Sequence, residues 1–470
     1  MHDTTIDVHE ELASAPVGRM HIRLGILLAL LTFFDGYDTF NPAYVIHYVL
    51  EPWRLSLQQA GMLISSGLVG FLVGAAVHGV VADRFGRRIT LIAGLWTTTL
   101  FSLLTALFAH SFASFCLLRV LTGLGLGVLL PLSTTYINEL APRRVANTFA
   151  LWGVALGWAA GGAAAGMVGV LVTPHTGWPG LYWVGSLSVV LLPFVHRYLP
   201  ESPKFALLRG NEAEVRAILV KLRPEREPIY RERAIAQPDS TSRTPLLALL
   251  KKPYRKLSIA IWATSFLSLF CIFGLSGWIP TLMQSRGETF GASFTFGAMM
   301  QVMSFIGALA CGYLVDRFRH PRYWLCAWFL CGAASVLVLS LSSAHWANFI
   351  FSASAGFCII GGQFVLNNFT AASYETRMRA TAVGMELAVG RLGAILGPVI
   401  GGVLQQMLGG SSNMLAAICI AATGAAICVL LATAEAEQRR DDLGMAAPAD
   451  TSTSTSNYGA PTAIGPELSP

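Results

Sequence analysis

Along the chain, apolar residues gather in blocks of about 20 separated by short polar turns, the length a helix needs to cross the hydrocarbon core of a bilayer. About twelve such blocks can be drawn. They open near Ile22, Leu57, Ile89, Phe112, Val145 and Leu181, then near Leu257, Ala292, Tyr323, Trp346, Ala380 and Asn413. The pattern predicts an all-α membrane protein of twelve transmembrane helices. A polar stretch from Glu201 to Arg255 interrupts it after the sixth block. The chain therefore divides into an N-terminal tail (1–21), a first six-helix bundle (22–199), a central loop (200–256), a second six-helix bundle (257–434) and a final tail (435–470). That last tail ends in Ala, Pro, Ser and Thr, a composition that leaves too little apolar surface to fold.

Composition agrees. Hydrophobic residues make up 54% of the chain and charged residues 12%, against about 25% charged in soluble proteins. The net charge of +6 does not point to nucleic acid, because the basic residues sit in the short turns. Their order fixes an orientation. The central loop is rich in Lys and Arg, and every second short turn adds more: Arg84, Arg87 and Arg88; Arg143 and Arg144; Arg317, Arg319 and Arg322; Arg377 and Arg379. The alternate turns hold only Arg54 and Arg286. By the positive-inside rule both termini and the central loop are cytoplasmic, as for a multi-pass protein of the cell inner membrane. The polar, acidic start of the chain is no cleavable signal peptide. All eight cysteines fall inside apolar blocks with no CxxC spacing, which reads as reduced packing residues. No metal or cofactor is called for.

The halves echo each other. Gly79-Val-Val-Ala-Asp83-Arg84-Phe85-Gly86-Arg87-Arg88 follows the second block, and Gly312-Tyr-Leu-Val-Asp316-Arg317-Phe318-Arg319-His320 follows the eighth. Repeated halves with a binding site between them are the usual build of secondary transporters. The first of these turns resembles the signature loop of the major facilitator superfamily, G-x-L-A-D-R-x-G-R-R. Two further stretches resemble its aromatic acid/proton symporter family: DGYD at Asp35–Asp38, and Tyr374-Glu-Thr-Arg-Met-Arg379-Ala-Thr-Ala-Val-Gly384 continuing to Gly390-Arg391-Leu-Gly393-Ala-Ile-Leu-Gly397-Pro398. The resemblance covers about Ile22 to Ala434 and implies two pseudo-symmetric six-helix bundles and proton-coupled transport. Departures are Glu375, where the family has proline, and Glu386, where a small residue is usual.

Few charges lie deep in the blocks: Asp35, Asp38, Arg119, Glu386 and Arg391. Such residues are functional candidates by default, because a charge in hydrocarbon costs about 2.5–3.5 kcal/mol or more. Asp35 is about 20 Å in from Ile22 at the rise of a helix. Asp35 and Asp38, an i,i+3 pair, are expected to share one face and to look into an aqueous crevice. Burial disfavours the charged form of a carboxylate and a neighbouring carboxylate disfavours it further, so this pair is the expected proton carrier, with Asp35 leading. Glu386 is a second candidate, or else snorkels to the nearer surface. Arg391 also sits near midplane, where its planar donor fork suits a substrate carboxylate or a structural ion pair. Arg119 opens Arg119-Val-Leu-Thr-Gly123-Leu-Gly125-Leu-Gly127, whose bare face permits close helix packing; by resemblance to the superfamily's fourth-span motif it is implicated in proton transfer, the alternative being a counter-charge to a buried acid. Tyr37, between the two acids, is placed to stack on a ring or donate to a carboxylate. Asn367, with Gln363, offers polar contacts to a ligand or across helices. Pro42 removes a backbone donor and is expected to kink the first helix.

The charged turns read as gates rather than binding sites. Asp83 is expected to cap a neighbouring helix, and Arg87 and Arg88 to pair with acids such as Glu139. Contacts of this size, made in one conformation and broken in the other, bias an equilibrium. Arg84, Gly86, Asp316 and Arg317 belong to the same set. The expected function is symport of protons with a small aromatic carboxylate by a monomer in the lipid bilayer; another small organic anion, a sugar, or a transporter-like receptor are the alternatives. An enzyme is not expected, since no nucleophile–base or metal spacing occurs.

Overall fold

The computed structural model describes residues 5–142, 144–236, 246–252, 254–318 and 320–442. Arg143 and Arg319 of the charged turns, and residues 443–470 of the expected disordered tail, lie outside them. Among the described residues, twelve helices are long and apolar enough to span a membrane: Arg19–Val49, Leu57–Phe85, Arg87–Phe108, Phe112–Leu140, Ala150–Leu171, Pro179–Tyr198, Arg255–Ser285, Phe290–Phe318, Pro321–Leu341, His345–Ser373, Met378–Leu408 and Ser412–Ala432. These are the spans one to twelve below. Pro42 lies inside the unbroken first helix, and the final helix continues to Asp442.

The spans pack as two six-helix bundles, and small residues set how closely. A Cβ on Gly123 would strike the Gly67 carbonyl, and one on Gly127 the Phe71 carbonyl. The bare face of the fourth span therefore lies directly on the second. In the same way a Cβ on Gly36 would strike the backbone of Trp158, and one on Gly161 that of Phe33, so spans one and five touch along their backbones. Helices in membranes associate through such contact because lipid removes any hydrophobic drive between them.

Between the bundles the firm contacts lie on the side away from the termini. Ser65 Oγ donates to the Ile395 carbonyl at 2.7 Å, the Gln58 amide donates to Gln406 Oε1 at 3.2 Å, and His47 Nδ1 lies 2.6 Å from Gln284 Oε1. Gly61 and Gly402 bring spans two and eleven into backbone contact beside Pro398 and Leu57. Tyr44, Phe294, Phe290 and His47 form an aromatic plug there, with ring centroids 4.4–5.1 Å apart.

The central loop is more ordered than a polar linker. It carries helices Pro203–Leu208, Glu212–Leu222 and Glu227–Glu232, and it pairs with the N-terminal tail. Strand β1 (Thr5–Ile6) runs parallel to β2 (Ala234–Ile235), and Ile6, Val8 and Leu12 pack with Val215, Ile218, Leu219 and Leu222. Glu11 accepts from Arg223 at 3.2 Å, from Tyr230 Oη at 2.8 Å, and from Arg226.

Candidate functional site

Four spans bring the deep charges together at the seam between the bundles. The first carries Asp35, the fifth Trp158, the seventh Ser265 and Phe273, and the eleventh Glu386 and Arg391. The backbone contact of spans one and five sets Trp158 beside Asp35. Asp35 is fully buried; the Trp158 indole N–H faces its carboxylate without closing a well-formed hydrogen bond, and among the described residues its oxygens have no other hydrogen-bond partner. Arg391, 8% exposed, holds its guanidinium 3.8 Å above the ring of Phe71 and 5.9 Å from that of Phe273. It is within electrostatic reach of both Asp35 and Glu386. A cation over desolvated aromatic faces is attracted by about 2 kcal/mol or more, which lets Arg391 stay charged without a direct ion pair.

Aromatic rings line the same seam. Phe40 stacks on Phe273 at 5.9 Å with planes 10° apart, meets Trp158 edge-on at 4.9 Å, and Trp158 meets Phe364 at 6.1 Å. Spans seven, one, five and ten thus supply one continuous aromatic wall. A void of about 10 Å³ remains beside it, lined by Phe40, Ile64, Leu68 and Phe273 among others. That holds one water, so a ring enters only when the bundles move apart.

Glu386 does not snorkel. It is fully buried, accepting from Ser265 Oγ at 2.7 Å and Gln363 Nε2 at 3.1 Å. Gln363 also donates to Asn367 Oδ1 at 2.8 Å. Turning the Asn367 amide over would put its nitrogen 3.2 Å from the same Glu386 oxygen. The remaining oxygens, Glu386 Oε2 and Gln363 Oε1, are buried without a partner.

The expected joint crevice for Asp35 and Asp38 is corrected. Residues three apart on a helix differ by about 60° in direction, and here that separates two environments. Asp38 points into the N-terminal bundle, 3.6 Å from Arg119 and accepting from Ser102 at 3.2 Å. Arg119 also donates to the Asp38 backbone carbonyl at 2.7 Å and lies 5.4 Å from the Tyr182 ring. It is the counter-charge to a buried acid, and is 1% exposed. The Tyr37 hydroxyl donates to the Leu181 carbonyl at 2.9 Å and so ties spans one and six, rather than donating to either acid.

At the terminus side, Arg87 pairs with Glu139 at 3.1 Å as expected. Glu201 accepts from the Arg87 and Arg88 amides at 2.9 and 3.1 Å, and so caps the third span. Gly86 makes room, with φ +101° and a Cβ position 2.5 Å from Glu201, a backbone that favours glycine. Asp83 and Arg84 are exposed, and the Arg84 carbonyl accepts from Arg209. Among the described residues the equivalent turn of the second half shows no such clasp: Asp316 and Arg317 are exposed, the latter near Phe318.

Sequence reading missed Phe71, Phe273, Ser265 and Glu201. The first two are ordinary apolar residues in apolar helices and carried no signal. Glu201 lay in a recognisable Leu-Pro-Glu-Ser-Pro run, which showed no partner.

A profile of the Major Facilitator Superfamily matches residues 26–385 and 303–460. The chain belongs to the major facilitator superfamily. Its relatives carry the names the DGYD and Tyr374–Pro398 stretches pointed to. A gallate transporter of Pseudomonas putida is 31% identical over 91% of this chain and 95% of its own. A 4-hydroxybenzoate transporter, PcaK of Acinetobacter baylyi, is 30% identical over 91% and 94%. Among solved structures, a partially occluded, inward-open form of the E. coli xylose transporter XylE superposes with a TM-score of 0.69 at 16% identity, covering 86% of this chain and 97% of that one; this shows the fold. The protein is a multi-pass membrane transporter of this superfamily, related to aromatic acid transporters, and not an enzyme.

Proposed function

We propose that this major facilitator protein imports a small aromatic carboxylate together with protons, by alternating access, across a cell inner membrane with both termini in the cytoplasm. The observation that carries the reading is Arg391: a buried guanidinium between aromatic faces, at the seam of the bundles, near two carboxylates it does not directly pair with. A flat ring slots against Phe40, Phe273 and Trp158, and its carboxylate takes the donor fork of Arg391, with the Trp158 N–H as a second donor. Asn367 and Gln363 supply further polar contacts.

Charge bookkeeping gives the coupling. Among the described residues, Asp35, Asp38 and Glu386 share the apolar interior with Arg119 and Arg391. A substrate anion adds another negative charge beside Arg391. A proton on Asp35 removes the nearest competing charge, so protonation and anion binding favour each other, and by linkage each strengthens the other equally. Asp38 and Glu386 are the remaining candidates for proton binding. With the termini inside, the seal at Ser65, Gln58 and His47 closes the outer side. Opening outward breaks that seal and closes the terminus side, where Asp83, Arg84, Gly86, Arg87, Arg88 and Glu139 of one half and Asp316 and Arg317 of the other act as the gate.

Purified protein in proteoliposomes tests this. An inside-alkaline gradient is expected to drive accumulation of labelled 4-hydroxybenzoate, and a protonophore to abolish it. Asp35→Asn is expected to keep substrate binding while losing gradient-driven accumulation. Full accumulation by Asp35→Asn would overturn the assignment of the proton.

A further inference from the structure

Most of the exposed large apolar side chains lie along the spans, where lipid covers them. Three in the central loop belong to no span: Leu246, Leu247 and Leu250 are 57%, 67% and 41% exposed. They stand together on one short 3-10 turn, Leu246–Leu250. Clustered apolar surface, unlike a single exposed leucine, marks an interaction site.

The turn is firmly placed. Its remaining leucine, Leu249, is fully buried with Tyr254, Leu257, Tyr374 and Met378. The Leu249 carbonyl accepts from Ser258 Oγ at 2.9 Å, and Ser258 Oγ lies 2.9 Å from Tyr374 Oη. Tyr254 Oη donates to Glu375 at 2.5 Å, and its ring stacks on that of Tyr374. The turn is thereby fastened to the first turn of span seven and to the approach to span eleven. Residues three apart in a 3-10 turn lie on one edge, so Leu247 and Leu250 form an exposed edge while Leu249 faces in.

The length of span seven gives the depth. Its helix has 31 residues, about 46 Å at the usual rise, against about 30 Å of hydrocarbon. Roughly 8 Å at each end is left for the headgroup layers. Residues 255–258 fill that length at this end, so the leucine turn bonded to Ser258 lies at headgroup level. Lys251, Lys252 and Arg255 follow it, all exposed. Ile259, exposed on the next helical turn, belongs to the lipid-facing surface.

We propose that residues 246–252 form an interfacial anchor whose partner is anionic phospholipid of the leaflet on the side of the termini. Leu246, Leu247 and Leu250 enter the acyl boundary, as the apolar face of an interfacial segment does. Lys251 and Lys252, with Arg255, meet lipid phosphates. Each basic residue near an anionic surface strengthens attachment about 5-fold. A soluble protein partner would account for the leucines but not for three cations at the depth of lipid phosphates. The anchor ties the end of the central loop to the membrane face of the C-terminal bundle, whereas Glu201 clasps its start to the N-terminal bundle. It does not depend on the identity of the substrate.

The test is hydrogen exchange on the full chain in lipid nanodiscs, one protein to a disc, made of phosphatidylcholine alone or with phosphatidylglycerol. The amides of residues 247–252 are expected to exchange about 5- to 25-fold more slowly in the anionic discs, while those of span seven stay unchanged. Inorganic phosphate added to the neutral discs is expected to leave exchange as it was, because a free anion brings no acyl layer for the leucines. Lys251→Gln combined with Lys252→Gln is expected to cut the difference between discs to about 2-fold or less. Leu247→Ser combined with Leu250→Ser is expected to speed exchange in both kinds of disc. Equal exchange in neutral and anionic discs, or an undiminished difference in the lysine variant, would overturn the anchor. So would protection that rises with protein concentration in detergent, which would assign the leucines to a second copy of the chain.

Discussion

In the N-terminal bundle a buried acid, Asp38, is met by a guanidinium; in the C-terminal bundle a buried acid, Glu386, is met by a hydroxyl and an amide. The same division holds at the terminus side. The charged turn of the first half is clasped by Glu201 and Glu139, whereas Asp316 and Arg317 of the second half stand exposed. The N-terminal half also carries the docked tail and central-loop helices as one apolar cluster with its spans. Apart from Asp35, which is left to the seam, the first half is built as a fixed body with its buried acid neutralised internally. The other keeps its charges, Arg391 and Glu386, at the seam. A transporter that rocks two bundles about a central site needs one partner whose polar groups are free to change theirs.

The comparison breaks first at Arg119. Removing one member of a buried ion pair strands the other, at a cost of about 3–5 kcal/mol. Arg119→Leu is therefore expected to lower the melting temperature in detergent by several degrees or to prevent folding. Arg119→Leu combined with Asp38→Asn should recover most of that loss. A single variant as stable as the parent would mean that the pair does not hold the bundle.

Glu386 should behave otherwise. With no counter-ion in contact, Glu386→Gln is expected to change stability by less than about 1 kcal/mol. Ser265→Ala, which strips a donor from the carboxylate, should cost about 1.5–3 kcal/mol, the usual worth of a hydrogen bond to a charged group. Thermal unfolding of both variants checks the order. If Glu386→Gln were the worse of the two, Glu386 would be acting as an ion-pair partner, like Asp38.

The spans were legible because their length is set by the bilayer and not by any contact. Predicted openings such as Leu57 and Phe112 coincide with the helices found. The deep charges were legible as a set, since each stands alone in an apolar run. Their pairing was not. Asp35 and Asp38 look equivalent in sequence, and only the packing of spans four and six against one side sends Asp38 to Arg119 and leaves Asp35 to the seam. Tyr37 looked chemical for its neighbours, yet its hydroxyl met a carbonyl 144 positions away. Phe273 and Phe71 are two phenylalanines among 26, and what distinguishes them is the guanidinium between them.

Smaller effects sharpen the contrast between the two turns. A carboxylate on the first amides of a helix is worth about 0.3–1 kcal/mol when exposed and up to ~2 when partly buried. Glu201→Ala should therefore loosen the start of the third span, and Asp316→Ala should leave its own turn unchanged. Hydrogen exchange reads this directly: the Arg87 and Arg88 amides, now bonded to Glu201, are expected to exchange about 5- to 30-fold faster in Glu201→Ala. Equal exchange in parent and variant would mean that the clasp is not formed in the resting protein. In that case the two halves would present equivalent gates, and the fixed body would have to be sought elsewhere.

The smallest effect is expected where the N-terminal tail docks. Glu11 holds Arg223, Arg226 and Tyr230 from one carboxylate, but it is a partly exposed group. Solvent screens such pairs to about 0.2–1 kcal/mol each. Beside them the tail is held by the β1–β2 pairing and by Ile6, Val8 and Leu12 in the shared core. Glu11→Gln should leave the global melting temperature within about a degree and yet free Arg223 and Arg226 for local opening. Limited trypsin digestion, which samples such openings when they are fast, is expected to cut after Arg223 about 2- to 5-fold faster in the variant. If instead Glu11→Gln lowered the melting temperature of the whole protein, the docked tail would be a structural part of the N-terminal bundle. The asymmetry between the halves would then extend into the aqueous domain as well.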